Sequence, residues 1–265
     1  MSGPDLSGVP IRDLPDARER LGELSGRAPA VFLDYDGTLT PIVPDPDRAL
    51  LPEPTRDALL RLRERWPVAV VSGRDLADVR EKVGIEGLAY AGSHGFEIVT
   101  PDGRHELRGA EHLPDLDSAE AELRDELPSG ARLERKRVAI AVHVRGMDPD
   151  RVPEVARVVD EVAARHPRLR LSEGKAIFEL RPDLDWDKGR ALRWFLEVLG
   201  LERDEVVPLY VGDDVTDEDA FREIRDSGLA VVVRGEDDAR PTLAHAALDG
   251  PDEVRAFLEH LADLR

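Results

Sequence analysis

Asp34 and Asp36 stand two positions apart at the end of an apolar run, in the stretch V-F-L-D-Y-D-G-T-L-T at residues 31–40. A buried strand running into a sharp turn delivers such a pair at its carboxyl end, where ligands bind in open α/β sheets. Alternation with period two sends both side chains to one side of the backbone. Like charges held that close repel each other unless a cation or a shared proton intervenes. The chemistry that fits is a Mg2+ site in which one carboxylate attacks and the other handles a proton. A solvated D-x-D-G turn is the alternative for this stretch taken alone, because acids and glycine are common in turns.

Other stretches carry groups that would complete such a site. S-G-R-D at residues 72–75 follows an apolar strand at 68–71 and precedes a helix at 76–83. Backbone N–H groups at a helix start, with the Ser72 hydroxyl, make an anion site. Ser72 as a plain helix cap, with Asp75 closing a capping box, is the structural alternative. The anion role requires that strand to lie beside the Asp34 strand, as sequential parallel strands usually do. His94, in A-G-S-H-G, either faces the same site or serves its turn.

Of the 37 lysines and arginines, only Lys82, Lys136, Lys175 and Lys188 are lysine. A compact point charge is what guanidinium does not replace. Lys82, in a helical stretch, reads as ordinary surface. Lys188 opens a helix at D-K-G that runs to Gly200, the end where the helix dipole disfavours a cation. A strand at 206–211 then enters G-D-D-V-T-D-E-D-A-F at residues 212–221. It brings Asp213, Asp214, Asp217, Glu218 and Asp219, five carboxylates within seven residues. Metal binding relieves that repulsion, while an acidic helix start accounts for Glu218 and Asp219.

The elements that must hold these groups follow from periodicity. Residues 1–28 are polar, with a short helix at 14–24, and P-I-V-P-D-P-D reads as a loop. Residues 54–65 have helical spacing, 88–99 a strand with a glycine-rich turn, and Asp102-Gly103 a hairpin turn. From residue 108 the texture changes. A helix at 117–127 precedes a strand at 132–144 with Leu133, Val138, Ile140, Val142 and Val144 inward. An amphipathic helix at 152–164 precedes two strands within 169–180. This is a small α+β unit covered on one face of its sheet. Its other face would carry Glu134, Lys136, His143, Glu173, Lys175 and Glu179, with ordinary solvated surface as the alternative for each. Residues 230–233 are the last expected core strand, and a helix at 252–261 closes the chain.

Composition narrows the partners. The chain has 265 residues, 41% of them hydrophobic, and no cysteine, so disulfides and thiol chemistry are excluded. Nothing approaches the ~18 apolar residues of a membrane span. The first residues lack the basic start and apolar core of a secretion signal, so no membrane and a cytoplasmic location are expected. The net charge of −19 argues against nucleic acid and requires a local positive site for any anionic substrate. A monomer acting on a small molecule is expected.

In order, the chain shows D-x-D after one strand, S-G-R after the next, a lysine, and G-D-D-x-x-D. This ordered set resembles the haloacid dehalogenase superfamily of Mg2+-dependent phosphatases. The resemblance implies an α/β fold, a doubly wound parallel-sheet core of residues 1–107 and 184–265, with an α+β cap inserted at 108–183. Within the superfamily the wording is similar to the trehalose-6-phosphate phosphatases. It rests on F-L-D-Y-D-G-T-L-T-P-I-V, V-V-S-G-R, A-G-S-H-G, E-R-K, E-G-K, E-L-R-P, D-K-G and G-D-D-V-T-D-E-D-A-F, across most of residues 30–234.

By that resemblance Asp34 is the nucleophile and Asp36 the acid and base. Mg2+ is held by Asp34, the Asp36 backbone carbonyl and Asp213, with Asp217 or Asp214 in support. Ser72, Gly73 and Lys188 hold the phosphoryl oxygens, Arg74 joins the substrate contacts, and Glu134, Lys136, Glu173, Lys175 and Glu179 read sugar hydroxyls. A phosphatase of another sugar phosphate, of the sucrose or glucosylglycerate type, differs only in those cap contacts. A phospho-accepting signalling domain shares the acids, Mg2+, hydroxyl and lysine, but Asp36 and the insert count against it. A P-type pump needs membrane spans that are missing here.

Overall fold

The computed structural model describes residues 8–24, 26–174, 176–235 and 239–264. They divide into two compact units: the described residues up to Glu106 with those from Trp186 onward, and Leu107–Asp185. Before the insert, the chain lays down strands β1 (Ala28–Leu33), β2 (Val68–Val71), β3 (Ala89–Gly92), β4 (Glu97–Val99) and β5 (His105–Leu107). The insert contributes β6 (Arg132–Lys136), β7 (Ala139–His143), β8 (Leu169–Gly174) and β9 (Ile177–Pro182). β10 (Val206–Gly212), β11 (Leu229–Val233) and β12 (Ala246–Leu248) come after it. The longer helices are α1 (Glu53–Arg63), α2 (Leu76–Val83), α3 (Leu113–Glu126), α4 (Val152–Arg165), α5 (Lys188–Val198), the short α6 (Glu218–Glu223) and α7 (Gly250–Asp263).

In the first unit the sheet order is β12-β11-β10-β1-β2-β3-β4-β5, with parallel pairing from β12 through β3 and an antiparallel β3–β4 pair. β1, β2, β10 and β11 are nearly all apolar because helices cover both faces of a parallel sheet. Alternate residues of β1 confirm this. Val31 and Leu33 pack with Leu59 and Leu62 of α1 and Phe257 and Leu258 of α7. Ala30 and Phe32 pack with Leu192 and Phe195 of α5 and Phe221 of α6. The chain steps outward from β1 to β2 and β3, then returns to β1's other side as β10. That reversal opens the crevice at the strand carboxyl ends where such sheets take ligands.

Two expectations meet the structure in this unit, one corrected and one met. The last core strand is β12, not residues 230–233, which lie in β11; β12 pairs β11 in parallel from Val231↔Ala246 to Val233↔Leu248. The Asp102-Gly103 turn stands between β4 and β5 as expected, with Gly103 at φ +86 and its N–H donating to Thr100 O at 3.0 Å.

The second unit is a four-stranded antiparallel sheet, order β6-β7-β9-β8. Leu116 and Leu123 of α3 and Val155, Val159 and Val162 of α4 bury Ile140, Val142, Phe178 and Leu180. Residues 132–144 form two strands rather than one. The chain folds back at Arg137-Val138, so Lys136 opposes Ala139. Neither residue has positive φ, and Val138 is buried, so the apolar alternation runs through the reversal. Among the described residues no helix is long and apolar enough to cross a membrane.

Candidate active site

β1 and β10 are neighbours in register, Leu33 beside Val211, and each runs directly into an aspartate. The carboxylates of Asp34, Asp213 and Asp217 each offer an oxygen within 4.8 Å of the others. Lys188, opening α5, reaches into the same place: its Nζ lies 3.1 Å from Asp34 Oδ1 and 2.7 Å from Asp217 Oδ1. The ammonium is 2% exposed, which explains a lysine at the unfavourable end of a helix. Tyr210 Oη donates to Asp217 Oδ1 at 2.8 Å, and the Asp214 N–H donates to Asp217 Oδ2 at 2.9 Å. Asp217 thus accepts three hydrogen bonds and is 0% exposed. Asp214 is not in the cluster; it closes a capping box with Asp217 at the start of the 3-10 turn Val215–Asp217.

Two glycines make room for these acids. A Cβ on Gly37 would stand 2.2 Å from Asp213 Oδ2, and one on Gly212 would stand 2.3 Å from Asp217 Cγ. Gly37 also has φ +80, so both its conformation and its bareness are used. Thr38 Oγ1 lies 3.4 Å from Asp213 Oδ1.

One ammonium faces three carboxylates, and ionisation records the imbalance. Burial, with Asp217 and Asp213 beside it, pushes the Asp34 carboxyl well above the usual range, although Lys188 opposes this. Burial and the neighbouring Asp217 push Asp213 up to about 7. Burial alone would depress the Lys188 ammonium, but Asp217 and Asp34 more than offset it and hold it above the ordinary lysine range.

Glu218 is not the solvated helix-start acid that its position suggests. It is 1% exposed, ion-pairs with Arg240, and accepts from the Leu243 N–H at 2.8 Å. Arg240 also donates to the Asp213 carbonyl at 3.1 Å, tying the loop that carries the acids. Tyr210 and Arg240 were not legible as site residues. Tyr210 reads as one more apolar strand position, and Arg240 lies 27 residues beyond Asp213.

β2 lies beside β1 with Leu33 opposite Val70, so Ser72 is delivered next to the Asp34 strand. Ser72 is not the helix cap. The N-cap of α2 is Asp75, which makes no side-chain cap bond; it accepts from Ser93 Oγ at 2.9 Å. The Ser72 hydroxyl accepts from the Arg74 N–H at 3.2 Å. The loop is held from β3: Ser72 N–H donates to Ala91 O at 2.8 Å, His94 N–H to Ser72 O at 2.9 Å, and Ser93 N–H to Arg74 O at 2.6 Å. Ser93 and His94 make these contacts from left-handed backbone, φ 49° and 57°, and Gly95 continues the run at φ 92°. The His94 ring stands against Gly73, where a Cβ would come within 2.7 Å of it.

Asp36 does not join the buried cluster. Arg74 takes it in a two-pronged pair, Nε to Oδ2 at 2.6 Å and Nη2 to Oδ1 at 2.7 Å. The same guanidinium donates to Asp78 Oδ2 at 2.7 Å and to Pro46 O at 2.9 Å. Arg74 was expected among the substrate contacts, yet these acceptors engage its head. Lys82 is also no ordinary surface cation: its side chain is 9% exposed and its Nζ donates to Asp47 O at 3.1 Å.

In the second unit, Lys136 Nζ pairs with Glu179 Oε1 at 2.9 Å, and His143 Nε2 lies 2.7 Å from Glu134 Oε2. That bond to His143 lowers the Glu134 carboxyl below its usual range despite partial burial. Glu134 and Glu179 both oppose Ala141, so they share with Lys136 the face turned away from α3 and α4. Glu173 does not: it opposes Phe178, on the helix-covered face, where it is exposed at the strand's end. Lys175 lies outside the described residues.

A family model described as trehalose-phosphatase matches residues 32–252. The trehalose-phosphate phosphatase of Mycobacterium tuberculosis is 48% identical over 274 residues, covering 97% of this chain and 70% of the relative. A crystal structure described as a trehalose-6-phosphate phosphatase related protein matches with TM-score 0.75 at 26% identity, over 88% of this chain and 96% of that one. A haloacid dehalogenase-like hydrolase from Bacteroides thetaiotaomicron shares the fold, with TM-score 0.65 at 18% identity over 89% of this chain and 100% of that one.

Proposed function

The chain belongs to the trehalose-phosphatase family, and from that premise we propose that it hydrolyses trehalose 6-phosphate to trehalose and phosphate with Mg2+. The supporting observation is the convergence of Asp34, Asp213 and Asp217 around one ammonium. Two buried carboxylates and a half-buried third against one cation leave a deficit of positive charge, and an all-oxygen donor set suits Mg2+. Asp34, Asp213 and the Asp36 backbone carbonyl would hold the ion. Asp217, already accepting three hydrogen bonds, would support it through Lys188 and the loop. When bound, Mg2+ supplies charge neutralisation on the phosphoryl oxygens.

The residues divide the work. Asp34 attacks phosphorus, its carboxylate oxygen forming a bond as the bond to the sugar oxygen breaks. Asp36 gives its proton to that departing oxygen. It then takes a proton from the water that attacks phosphorus, and the Asp34–phosphorus bond breaks to release phosphate. Ser72, the Gly73 backbone and Lys188 hold the transferring oxygens, and most of the catalysis is such placement. Glu134, Lys136 and Glu179 read sugar hydroxyls, with Glu173 and Lys175 as further candidates. Pairs left unmatched by a wrong sugar give discrimination.

The test is phosphate release from a panel of sugar phosphates, with Mg2+ and with chelator, for the parent and Asp34→Asn. Preference for trehalose 6-phosphate that needs Mg2+ and Asp34 is expected. Equal rates across the panel would remove the substrate assignment and leave the chemistry.

A further inference from the structure

Asp36 cannot do its two proton transfers from an arbitrary orientation, and the structure shows what orients it. Both of its oxygens accept from one guanidinium through separate donors, Nε at 2.6 Å and Nη2 at 2.7 Å. Such a fork fixes the carboxylate plane as well as its position. Each oxygen keeps a second lone pair, so the clamp does not exhaust the group.

Arg74 is itself immobilised. Asp78, one helical turn along, accepts from Nη1 at 2.7 Å, and Pro46 O accepts from Nη2 at 2.9 Å. Its guanidinium carbon lies 5.5 Å from the Tyr35 ring centre. Its backbone is pinned on both sides, the N–H to Ser72 Oγ and the carbonyl by Ser93 N–H. With only 11% of the side chain exposed, the head is enclosed by these partners. Lys82 extends the support, donating to Asp47 O at 3.1 Å in the same loop as Pro46.

We propose that Arg74 is the positioning residue for Asp36 rather than a contact to the substrate. It sets the carboxylate where it can protonate the departing sugar oxygen, and the 44–48 loop with α2 holds Arg74 in turn. This rests on the proposed phosphatase chemistry. It has a signature that a role on the phosphoryl group or in general stability lacks. A sugar alkoxide is a poor leaving group and needs its proton, whereas p-nitrophenolate leaves without one. Loss of Arg74 therefore slows transfer to Asp34 from a sugar phosphate but not from p-nitrophenyl phosphate. The later attack of water, which needs Asp36 as base, slows for both.

The experiment is rapid-mixing kinetics of the full chain with Mg2+ on trehalose 6-phosphate and p-nitrophenyl phosphate. It compares the parent with Arg74→Gln, Arg74→Lys and Asp36→Asn, with thermal unfolding of each. Misplacing a proton-transfer group costs on the order of 10²-fold. Arg74→Gln should lose about that much on the sugar phosphate, yet release a fast burst of nitrophenolate before a slow steady state, as Asp36→Asn should. Arg74→Lys should fall between it and the parent. A burst lost in step with sugar-phosphate turnover would overturn the proposal, as would unchanged rates on both substrates. If the parent turns over neither substrate, the phosphatase reading itself fails, a result distinct from either.

Discussion

Replacing Lys188 by methionine isolates the charge balance of the buried cluster. The change removes the only cation within 4 Å of Asp34 and Asp217 among the described contacts, while keeping most of the side-chain length. Breaking a buried ion pair by deleting one partner costs about 3–5 kcal/mol, because the remaining charge is left uncompensated. At about 2–4 °C per kcal/mol for a chain of this size, the unfolding midpoint should fall by roughly 6–20 °C in chelator. Two conditions should shrink the loss: low pH, where the carboxylates accept protons, and added Mg2+, whose charge replaces the ammonium. The assay is thermal unfolding of parent and variant at pH 8 and pH 5.5, with Mg2+ and with chelator. An equal loss under all four conditions would mean that Lys188 acts by packing, and no loss in chelator would refute the charge balance altogether.

Other outcomes follow from the same geometry. Asp213 is raised from 3.8 to about 7 in the folded protein, so between those values the metal-free fold binds more protons than the unfolded chain. Its stability should therefore decline as pH rises toward 7, the decline should flatten with Mg2+, and Mg2+ affinity by calorimetry should weaken below about pH 7. Gly37→Ala puts a methyl 2.2 Å from Asp213 Oδ2 at a residue with φ +80; Mg2+ binding should be lost, and normal affinity would contradict the packing. Asp34→Asn removes one of the repelling charges, so it should abolish turnover yet unfold in chelator no earlier than the parent. Lys136→Met leaves Glu179 without its 2.9 Å partner; the KM for trehalose 6-phosphate should rise while the nitrophenolate burst persists.

The core and its acids were legible because each signal is local. An apolar run ending in D-x-D, S-G-R or G-D-D marks both a strand and the chemical groups at its carboxyl end, all within a few residues. Lys188 could be singled out because a cation at a helix start conflicts with the dipole. What sequence hid was pairing across long separations. Arg74 meets Asp36 38 positions away, and Glu218 meets Arg240 22 positions away. Nothing in either neighbourhood names the partner. The β6–β7 reversal was missed because Arg137-Val138 lacks the glycine or asparagine that marks two-residue turns. β12 was missed because an alanine-rich triplet has little strand preference, and pairing with β11 supplies what propensity does not. Glu173 falls on the helix-covered face because its parity is set by the register with β9, which no residue near it announces.

The left-handed run at Ser93, His94 and Gly95 bears on how the chain responds to selection. Two of its three residues carry a Cβ in a region that costs L-residues about 1–2 kcal/mol each. Glycine at 93 or 94 would relieve that strain, and a library screened for heat resistance alone should enrich such replacements. The Ser93 hydroxyl and the His94 ring would go with the strain, and with them the bond to Asp75 and the wall against Gly73. Thermal tolerance and phosphate handling then pull these two positions in opposite directions, so variants selected for one should be found wanting in the other.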